Sequence, residues 1–523
     1  MKWGYIVPKE LFFQFSVTIL LCIQLAKPNT SLKINLLDLI LLSWLLLPMI
    51  VSIITGDTED LSGRYTLSFY FMMFFILVKL MHDQNDEDPI IRFMEKTFSI
   101  ISLTGLFMAF YGILQYFNID PFHPEGIRPF GPRVVGTIGH ANAFGGYLAA
   151  IFPLTVISGL YSSRRLWKTI SIGALPLILC ALILTLSRGA WLAAIAGILI
   201  ALFPQLNRLW QKYLKRRIYQ IAAIPIAIGS LFLGLRFIYQ LNPASALGRL
   251  FIWHITWNMF ADHPLAGIGY GRYGVEYLNY QANFFDDPSN ATHFDLAANL
   301  KQADNEYLQI LAETGIVGFL LFLALFVIFF SIAIRIMKKT GREHDRSWVI
   351  FALVGSITVI AAHSLVDNPL NALPTKLIFL FIIANISMLA INIQNRQGSN
   401  TFGLTLRNSR LLLPIAIALL VFNAYWVVHM GEGFIHWQKG QKYVAEGLWH
   451  NGIIEYERAI EVLPNEGELQ FHLGAAYAYT KQAQRAIPFI ESSKSNFNDK
   501  NIYIVQGSTF LQLGRHEEAE SSF

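Results

Sequence analysis

Long runs of apolar residues, separated by short polar segments, dominate the chain until a polar tail begins near residue 430. Because the hydrocarbon core of a bilayer is about 30 Å thick, a spanning helix needs on the order of 20 mostly apolar residues. Runs near this length predict an all-α, polytopic membrane helix bundle of about twelve transmembrane helices. The clearest runs are Asn35 to Thr55, Phe98 to Phe117, Ala141 to Tyr161, Ile170 to Leu186, Ala190 to Pro204, Ile218 to Ile238, Ile310 to Met337, Trp348 to Val366, Lys376 to Ile393 and Leu411 to Val428. Two runs, Leu11 to Lys27 and Thr66 to Met81, are shorter.

The composition supports lipid as the main solvent of the chain. Of its 523 residues, 54% are hydrophobic and 14% are charged, whereas soluble proteins carry roughly 25% charged residues. Cys22 and Cys180 lie inside apolar runs without metal-ligand spacing, which predicts small hydrophobic side chains rather than a disulfide or zinc site. The net charge of +5 needs no nucleic-acid partner, because the basic residues fall largely in short loops. The N-terminus lacks a signal-peptide pattern, so Leu11 to Lys27 is expected to be a retained span.

Basic loops predict the orientation of the bundle. Lys and Arg accumulate in cytoplasmic loops, and three loops are strongly basic: Arg164 to Lys168, Arg208 to Arg217 and Lys338 to Arg346. Alternation of the spans then puts three other segments together on the outer face. These are Ser187 to Gly189, the long water-facing loop 239–309, and His363 to Pro374. The same alternation leaves the N-terminus outside, which is unusual for a first helix.

The tail repeats with an interval of about 34 residues, which resembles tetratricopeptide repeats of paired helices. Small and aromatic residues recur at the interval: Gly440, Tyr443, Gly447, Tyr456, Ala459 and Pro464; then Leu473, Gly474, Tyr477 and Ala486; then Gly507, Phe510, Gly514 and Ala519. We therefore predict a membrane domain at 1–430 and helical repeats at 431–523, the last of them incomplete. A generic helical hairpin is the alternative.

Two polar clusters lie where lipid disfavours them. An ionisable residue at membrane depth costs on the order of 3 kcal/mol and suggests function. The segment from Arg133 to Asn142 precedes a helix rich in small residues, and its other interpretation is a capped loop with close helix packing. Arg188 lies between two apolar runs and presents a rigid fork of donors that suits a phosphate. Snorkelling to the interface beside Trp191 is the alternative.

Two further clusters lie in and after the long loop. Its first part carries Gly248, Arg249, two tryptophans and the glycine-rich stretch from Asp262 to Tyr273, whose aromatic side chains suit sugar stacking or the membrane interface. At its end, Asp304 stands at the outer mouth of the next span. A carboxylate there can accept a proton from a hydroxyl, although Asp is also a good helix N-cap.

Together these segments resemble the O-antigen ligase and polymerase family of membrane glycosyltransferases, over roughly Ser99 to Met388. The landmarks are Gly136 to Asn142, Ser187 to Gly189, Arg249 to Trp257, His263 to Gly269, Asn305 with Gly315 and Gly318, and His363 with Asp367. The resemblance implies transfer of a glycan from a polyprenyl-pyrophosphate carrier to an acceptor hydroxyl outside the bacterial cytoplasmic membrane, without metal or other cofactor and with inversion.

The resemblance also implies roles for individual residues. Arg188 and Arg249 would grip the pyrophosphate and stabilise the leaving group. The ligases have a His as presumed base where this chain has Asp304, so either burial raises the pKa of Asp304 or the acceptor differs. Glu306 is a second candidate base. The residues expected to bind substrate are Arg133, His140, Asn142, Arg272, Asn305, Glu306, His363 and Asp367.

The sequence leaves several functions open. A repeat-unit polysaccharide polymerase or a protein O-oligosaccharyltransferase would use the same chemistry with another acceptor. A transporter or a membrane-anchored scaffold that displays the repeats is the alternative without enzymatic activity. The repeats are a possible site for a protein partner. The loop around Asp286 and Asp287 reads as a turn rather than a metal-dependent nucleotide-sugar site.

Overall fold

The computed structural model describes residues 7–27, 31–55, 64–81, 87–120, 133–213, 243–340, 347–396, 404–406 and 409–522, which are helical almost throughout. The helices up to the tail are α1 (Val7–Ala26), α2 (Leu36–Thr55), α3 (Arg64–Leu80), α4 (Glu87–Tyr116), α5 (Ala141–Tyr161), α6 (Arg165–Leu184), α7 (Arg188–Ala201), α8 (Phe203–Tyr213), α9 (Pro243–Asp262), α10 (Tyr273–Phe285), α11 (Glu306–Thr340), α12 (Ser347–His363) and α13 (Leu373–Arg396). Two short antiparallel strands, β1 (Leu32–Ile34) and β2 (Leu404–Leu406), pair with each other.

The predicted all-α membrane bundle is confirmed. Seven helices of the described ranges are long and apolar enough to cross a membrane, and a bent pair makes eight if it forms one span. Three shorter apolar helices, at Leu36–Val51, Leu67–Leu80 and Ser347–His363, join them. The predicted span from Ile218 to Ile238 lies outside the described residues, so the count of about twelve stays a prediction.

A sharp bend ends one predicted span. The run from Ala190 to Pro204 is formed by α7 up to Ala201, and α8 then continues at an angle of 66°. Pro204 falls in the first turn of α8, where its missing N–H removes no helical hydrogen bond. The chain therefore turns close to the end that the sequence predicts for this span.

Close backbone approach joins α12 to α7 at the centre of the bundle. A Cβ built on Gly197 of α7 would lie 2.7 Å from the carbonyl oxygen of Gly355 on α12. The reciprocal Cβ on Gly355 would lie 2.6 Å from the carbonyl oxygen of Gly197. Small residues at such crossings let membrane helices pack tightly without side chains between them. This packing fixes the position of α12 along α7. It therefore places His363, at the end of α12, relative to Arg188, at the start of α7.

The predicted long loop is largely helical. It contains α9, α10 and a 3-10 helix at Pro288–Leu296, and it has its own small core around Phe251, Ile255, Met259 and Tyr277. Phe251, Ile255 and Met259 are four residues apart on one face of α9, whereas apolar Leu247, Leu250 and Trp257 are exposed on the other face. The loop is thus a folded unit that begins and ends at the membrane domain.

The tail consists of antiparallel helices: α14 (Leu413–Ala445), α15 (Trp449–Val462), α16 (Gly467–Tyr479), α17 (Ala483–Ser493), α18 (Lys500–Gln512) and α19 (His516–Ser522). Its core forms around Trp437, Tyr456, Leu473, Tyr477 and Ile490. The boundary expected at residue 430 falls inside α14, which is continuous from the apolar run into the repeats. The tetratricopeptide type of the repeats stays a prediction.

Candidate functional site

Asp304 ends the folded loop in an unusual backbone conformation. Its φ is +50°, a region that non-glycine residues visit at a cost of about 1 kcal/mol or more. The next helix, α11, is capped by Asn305, whose Oδ1 accepts from the backbone N–H of Leu308 at 3.1 Å. The capping role considered for Asp304 thus belongs to Asn305. This leaves the carboxylate of Asp304 available to face the arginines.

Arg249 on α9 lies beside Asp304. Its Nε is 4.0 Å from Oδ2 of Asp304, and both side chains are about a quarter exposed, at 23% and 28%. Nη1 of Arg249 donates to Oγ of Ser245 at 3.1 Å, whereas its Nε is buried and makes no hydrogen bond within the described ranges. An N–H group without a partner beside an accessible carboxylate is suited to a polar ligand.

Arg133 joins the same region from the segment before α5. It donates from Nε to the carbonyl oxygen of Thr185 at 2.9 Å and from Nη2 to Oδ1 of Asn142. Burial lowers the pKa of Arg133, Asp367 opposes this, and the positive charges of Arg249 and Arg188 add to it. Three guanidinium groups from three separate elements therefore act on one another, and Arg133 ties the turn before Arg188 to α5.

His140 and Asn142 lie at the start of α5. His140 is the N-cap residue of this helix with an extended backbone, and its side chain makes no capping hydrogen bond. Burial lowers its pKa, the charge of Asp367 raises it, and Arg133 lowers it. Asn142 thus contacts Arg133, and the charge of Arg133 acts on His140. Their expected role in substrate binding stays a prediction.

His363 and Asp367 form a buried pair at the end of α12. Nε2 of His363 is 3.7 Å from Oδ2 of Asp367, and their side chains are 1% and 3% exposed. The imidazole fits between two glycines. A Cβ built on Gly146 would lie 2.6 Å from Nδ1 of His363, and one on Gly189 would lie 3.3 Å from Cδ2. The position of the imidazole therefore depends on the lack of a side chain at Gly189, next to Arg188.

Glu306 has a different environment from Asp304. Its Oε2 accepts from the backbone N–H of Leu370 at 3.1 Å, and its own N–H donates to the carbonyl oxygens of Ser364 and Asp367. Asn305 adds a hydrogen bond from Nδ2 to the carbonyl oxygen of Leu365 at 3.1 Å. These bonds attach the start of α11 to the segment after α12. Glu306 is buried in this attachment.

The glycine-rich stretch after α9 packs against a kink in α11. The N–H of Ile268 donates to the carbonyl oxygen of Ala312 at 2.9 Å, and that of Ile316 donates to Pro264 at 2.8 Å. Gly315 is non-helical with φ +63°, and a Cβ there would lie 2.2 Å from the carbonyl oxygen of Leu265. Only glycine fits this contact. The motif therefore positions α9 and Arg249 over the mouth of α11.

Arg272 pairs with Glu276 on α10, with Nη2 2.7 Å from Oε1. Its expected role in substrate binding stays a prediction.

The pKa of Asp304 is raised to about 6. Burial is the main cause, the nearby charge of Asp367 adds to it, and Arg249 opposes it. A carboxyl group with this pKa exchanges protons near neutral pH, which suits a general base better than an ordinary Asp at about 4.

Several polar residues of the region escaped the sequence analysis. The hydroxyl of Tyr277 on α10 is buried without a hydrogen-bond partner, and both burial and the charge of Asp304 raise its pKa. Ser364 and Asn368, next to Asp367, also have buried side-chain atoms without partners. The sequence offers a signal for Tyr277, because its spacing from Tyr270, Tyr273 and Tyr280 is that of one helix face.

Metal ligands are not grouped in this region. Within the described ranges, no three or more His, Cys, Asp and Glu side chains are arranged to hold a metal ion. The region combines guanidinium groups with carboxylates, and guanidinium groups suit an anionic ligand.

Residues 173–323 match the family model described as O-Antigen ligase. The matched range includes Arg188, Arg249, the glycine-rich stretch and Asp304. No curated protein matches the chain.

Proposed function

The chain carries a domain of the O-antigen ligase family, and from this premise we propose that it is a membrane glycosyltransferase. It would move a glycan from a polyprenyl-pyrophosphate carrier to an acceptor hydroxyl on the outer face of the bacterial cytoplasmic membrane. The observation that carries this proposal is the approach of Arg249 to Asp304, with Nε 4.0 Å from Oδ2. This approach brings a guanidinium group that would stabilise the leaving anion close to a carboxylate that would activate the incoming hydroxyl.

The arginines have the chemistry needed for a diphosphate. A guanidinium group stays charged at any physiological pH and binds phosphate oxygens in a bidentate manner. Arg249 has a buried Nε without a hydrogen-bond partner in the described ranges, and the charge of Arg188 acts on the same cluster. We propose that Arg188 and Arg249 hold the pyrophosphate, with Arg133 contributing to the field. These groups would stabilise the negative charge that develops as the glycosidic bond breaks.

Asp304 would serve as the general base. Its carboxylate accepts the proton of the acceptor hydroxyl as the oxygen attacks the anomeric carbon. The carbon–oxygen bond to the pyrophosphate breaks on the opposite face, so the anomeric configuration inverts, and the diphosphate leaves as an anion. A pKa of about 6 for Asp304 supports this role. Glu306 is a weaker candidate, because Leu370 and the α11 attachment already use it.

The pair His363 and Asp367 would tune this base rather than react. The charge of Asp367 raises the pKa of Asp304, and His363 lies 3.7 Å from Asp367. We propose that His140, Asn142 and Asn305 order the segments around the diphosphate.

A repeat-unit polymerase or a protein O-oligosaccharyltransferase would use the same residues with another acceptor. The family description supports the ligase as the leading choice. A transporter or scaffold would leave the carboxylate without a task. We propose that the repeats are of tetratricopeptide type and lie on the same outer face as the site, where they could contact a protein partner.

Transfer in vitro tests the proposal. Purified full-length protein in detergent or nanodiscs would be mixed with a polyprenyl-pyrophosphate glycan and candidate glycan, lipid or peptide acceptors. We expect a glycosylated product and release of polyprenyl pyrophosphate. Wild-type protein that releases none with any acceptor class would contradict the proposal, whereas Asp304→Ala provides the matched inactive control.

A further inference from the structure

The tail contacts the folded loop directly. Three residues between α17 and α18, at positions 497–499, form a docking turn. Nδ2 of Asn498 donates to the carbonyl oxygen of Val275 at 2.8 Å and to Oδ1 of Asn279 at 3.2 Å. Both acceptors belong to α10. Asn498 is buried, so the contact excludes water and is costly to leave unpaired.

The docking turn also holds the segment that leads to Asp304. Nδ2 of Asn299 donates to Oδ2 of Asp499 at 2.7 Å. Nζ of Lys301 lies 5.8 Å from the ring centroid of Phe497, within the range of a cation–π contact. The docking turn therefore contacts two parts of the loop, α10 and residues 299–301.

These two pieces flank Asp304. Residues 299–301 are the last before it except for Gln302 and Ala303, and α10 carries Tyr277, on which the charge of Asp304 acts. The N–H of Ala303 donates to Oε1 of Gln309 at 3.1 Å, and Ala303 is buried. The docking turn thus holds Asn299 and Lys301, and α11 holds Ala303.

A held approach is needed because the backbone of Asp304 is strained. A positive φ at a non-glycine residue persists only where the surroundings enforce it. If residues 299–303 were free, the chain would relax toward an ordinary conformation and the carboxylate would turn toward water. The contacts on the approach supply that enforcement.

We propose that the docking turn of the tail is a positioning element for the base, which keeps the carboxylate of Asp304 directed at Arg249. This inference rests on the proposed function. It gives the repeats a task inside the enzyme that is separate from any partner they bind. Asn498 is its central residue, because it alone contacts α10 through two hydrogen bonds.

Asn498→Ala tests the proposal against Asn496→Ala. Asn496 lies two positions earlier, and Nδ2 of its side chain donates to the carbonyl oxygen of Asn465 within the tail at 3.4 Å. In full-length protein we expect Asn498→Ala to lower kcat by about tenfold, and to move the acidic limb of the pH profile below about 6. Asn496→Ala should change neither. A lower rate with an unmoved limb would assign the effect to folding of the tail and overturn the proposal.

A thiol reporter makes the test independent of catalysis. In full-length protein carrying Cys22→Ser and Cys180→Ser, Ala303→Cys places a thiol at a position that is 0% exposed. We expect Asn498→Ala to raise its rate of maleimide labelling by about tenfold, and Asn496→Ala to leave that rate unchanged. Equal labelling in both variants would overturn the positioning role. Absence of transfer by wild-type protein would contradict only the proposed reaction, because the labelling experiment needs no substrate.

Discussion

The imidazole of His363 occupies the space that a side chain at Gly146 would need. A Cβ on Gly189 would lie 3.3 Å from Cδ2 of His363 and 2.5 Å from Cγ2 of Val366, and a Cβ on Gly146 would lie 2.6 Å from Nδ1 of the same ring. Three helices therefore meet at the imidazole of His363: the start of α7, α5 and the end of α12. The contact explains why glycine follows Arg188.

We expect Gly146→Ala and Gly189→Ala each to lower transfer at least tenfold, because the added methyl displaces His363 and the Arg188 backbone; overpacking of this kind typically costs about 1–3 kcal/mol. Gly173→Ala on α6 is the matched control, since no atom lies within 4 Å of its added Cβ. Initial rates and thermal unfolding in detergent would be compared. Wild-type rates in both variants would show that the ring position does not matter for the reaction.

Arg249→Ala should lower kcat by about 10²–10³, the range seen when one donor to a developing oxyanion is lost. Arg249→Lys should recover only part of this loss, because an ammonium group is a point charge without the bidentate fork. Arg458→Ala provides a control, since Arg458 is an exposed residue of the tail that pairs with Glu455. Release of polyprenyl pyrophosphate would be measured for each. Full activity of Arg249→Ala would remove Arg249 from the clamp.

The sequence could predict the membrane bundle and the segments of the site, since hydropathy and charge report spans and their ends directly. The family resemblance implied that Arg249 and Asp304 serve one site, but hydropathy and charge alone could not predict their contact. That contact depends on α9 and α10 folding within the long loop, and the loop is placed by hydrogen bonds such as Ile268 to Ala312. Backbone pairing of this kind is not encoded by side-chain type.

The choice between Asp304 and Asn305 as helix cap was equally undetermined. Both residue types are good caps, and only the three-dimensional contacts of Asn305 with Leu308 and Leu365 decide between them. The end of the apolar run at Pro204 marks the bend after α7 to within three residues, but the angle of the bend is not encoded in hydropathy. The spacing of Phe251, Ile255 and Met259 by four residues is visible in the sequence and is typical of one helix face.

Transfer should fall as the pH drops through about 6. The base must be ionised, and its pKa is raised to about 6, so the active carboxylate form is lost below that value. Asp304→His should keep substantial activity, because the ordinary pKa of His is about 6.5, whereas Asp304→Ala should lose most of it. Rates at saturating donor would be recorded from pH 4.5 to 8, roughly spanning both pKa values. Equal activity of the three forms would exclude Asp304 as the base.

Asp367→Asn should move the acidic limb of the pH–rate profile to lower pH. The negative charge of Asp367 raises the pKa of Asp304, so its removal makes the carboxylate of Asp304 easier to ionise. The substitution keeps an oxygen that can accept from the N–H of Asn368, as Oδ1 of Asp367 does at 2.7 Å. The maximal rate should also fall, because a less basic carboxylate abstracts the proton less readily. Glu461→Gln is the control, since it removes an exposed carboxylate on α15 of the tail rather than one whose charge acts on Asp304. An acidic limb that stays near pH 6 in Asp367→Asn would mean that burial alone raises the pKa of the base. The remaining role of Asp367 would then be to position His363.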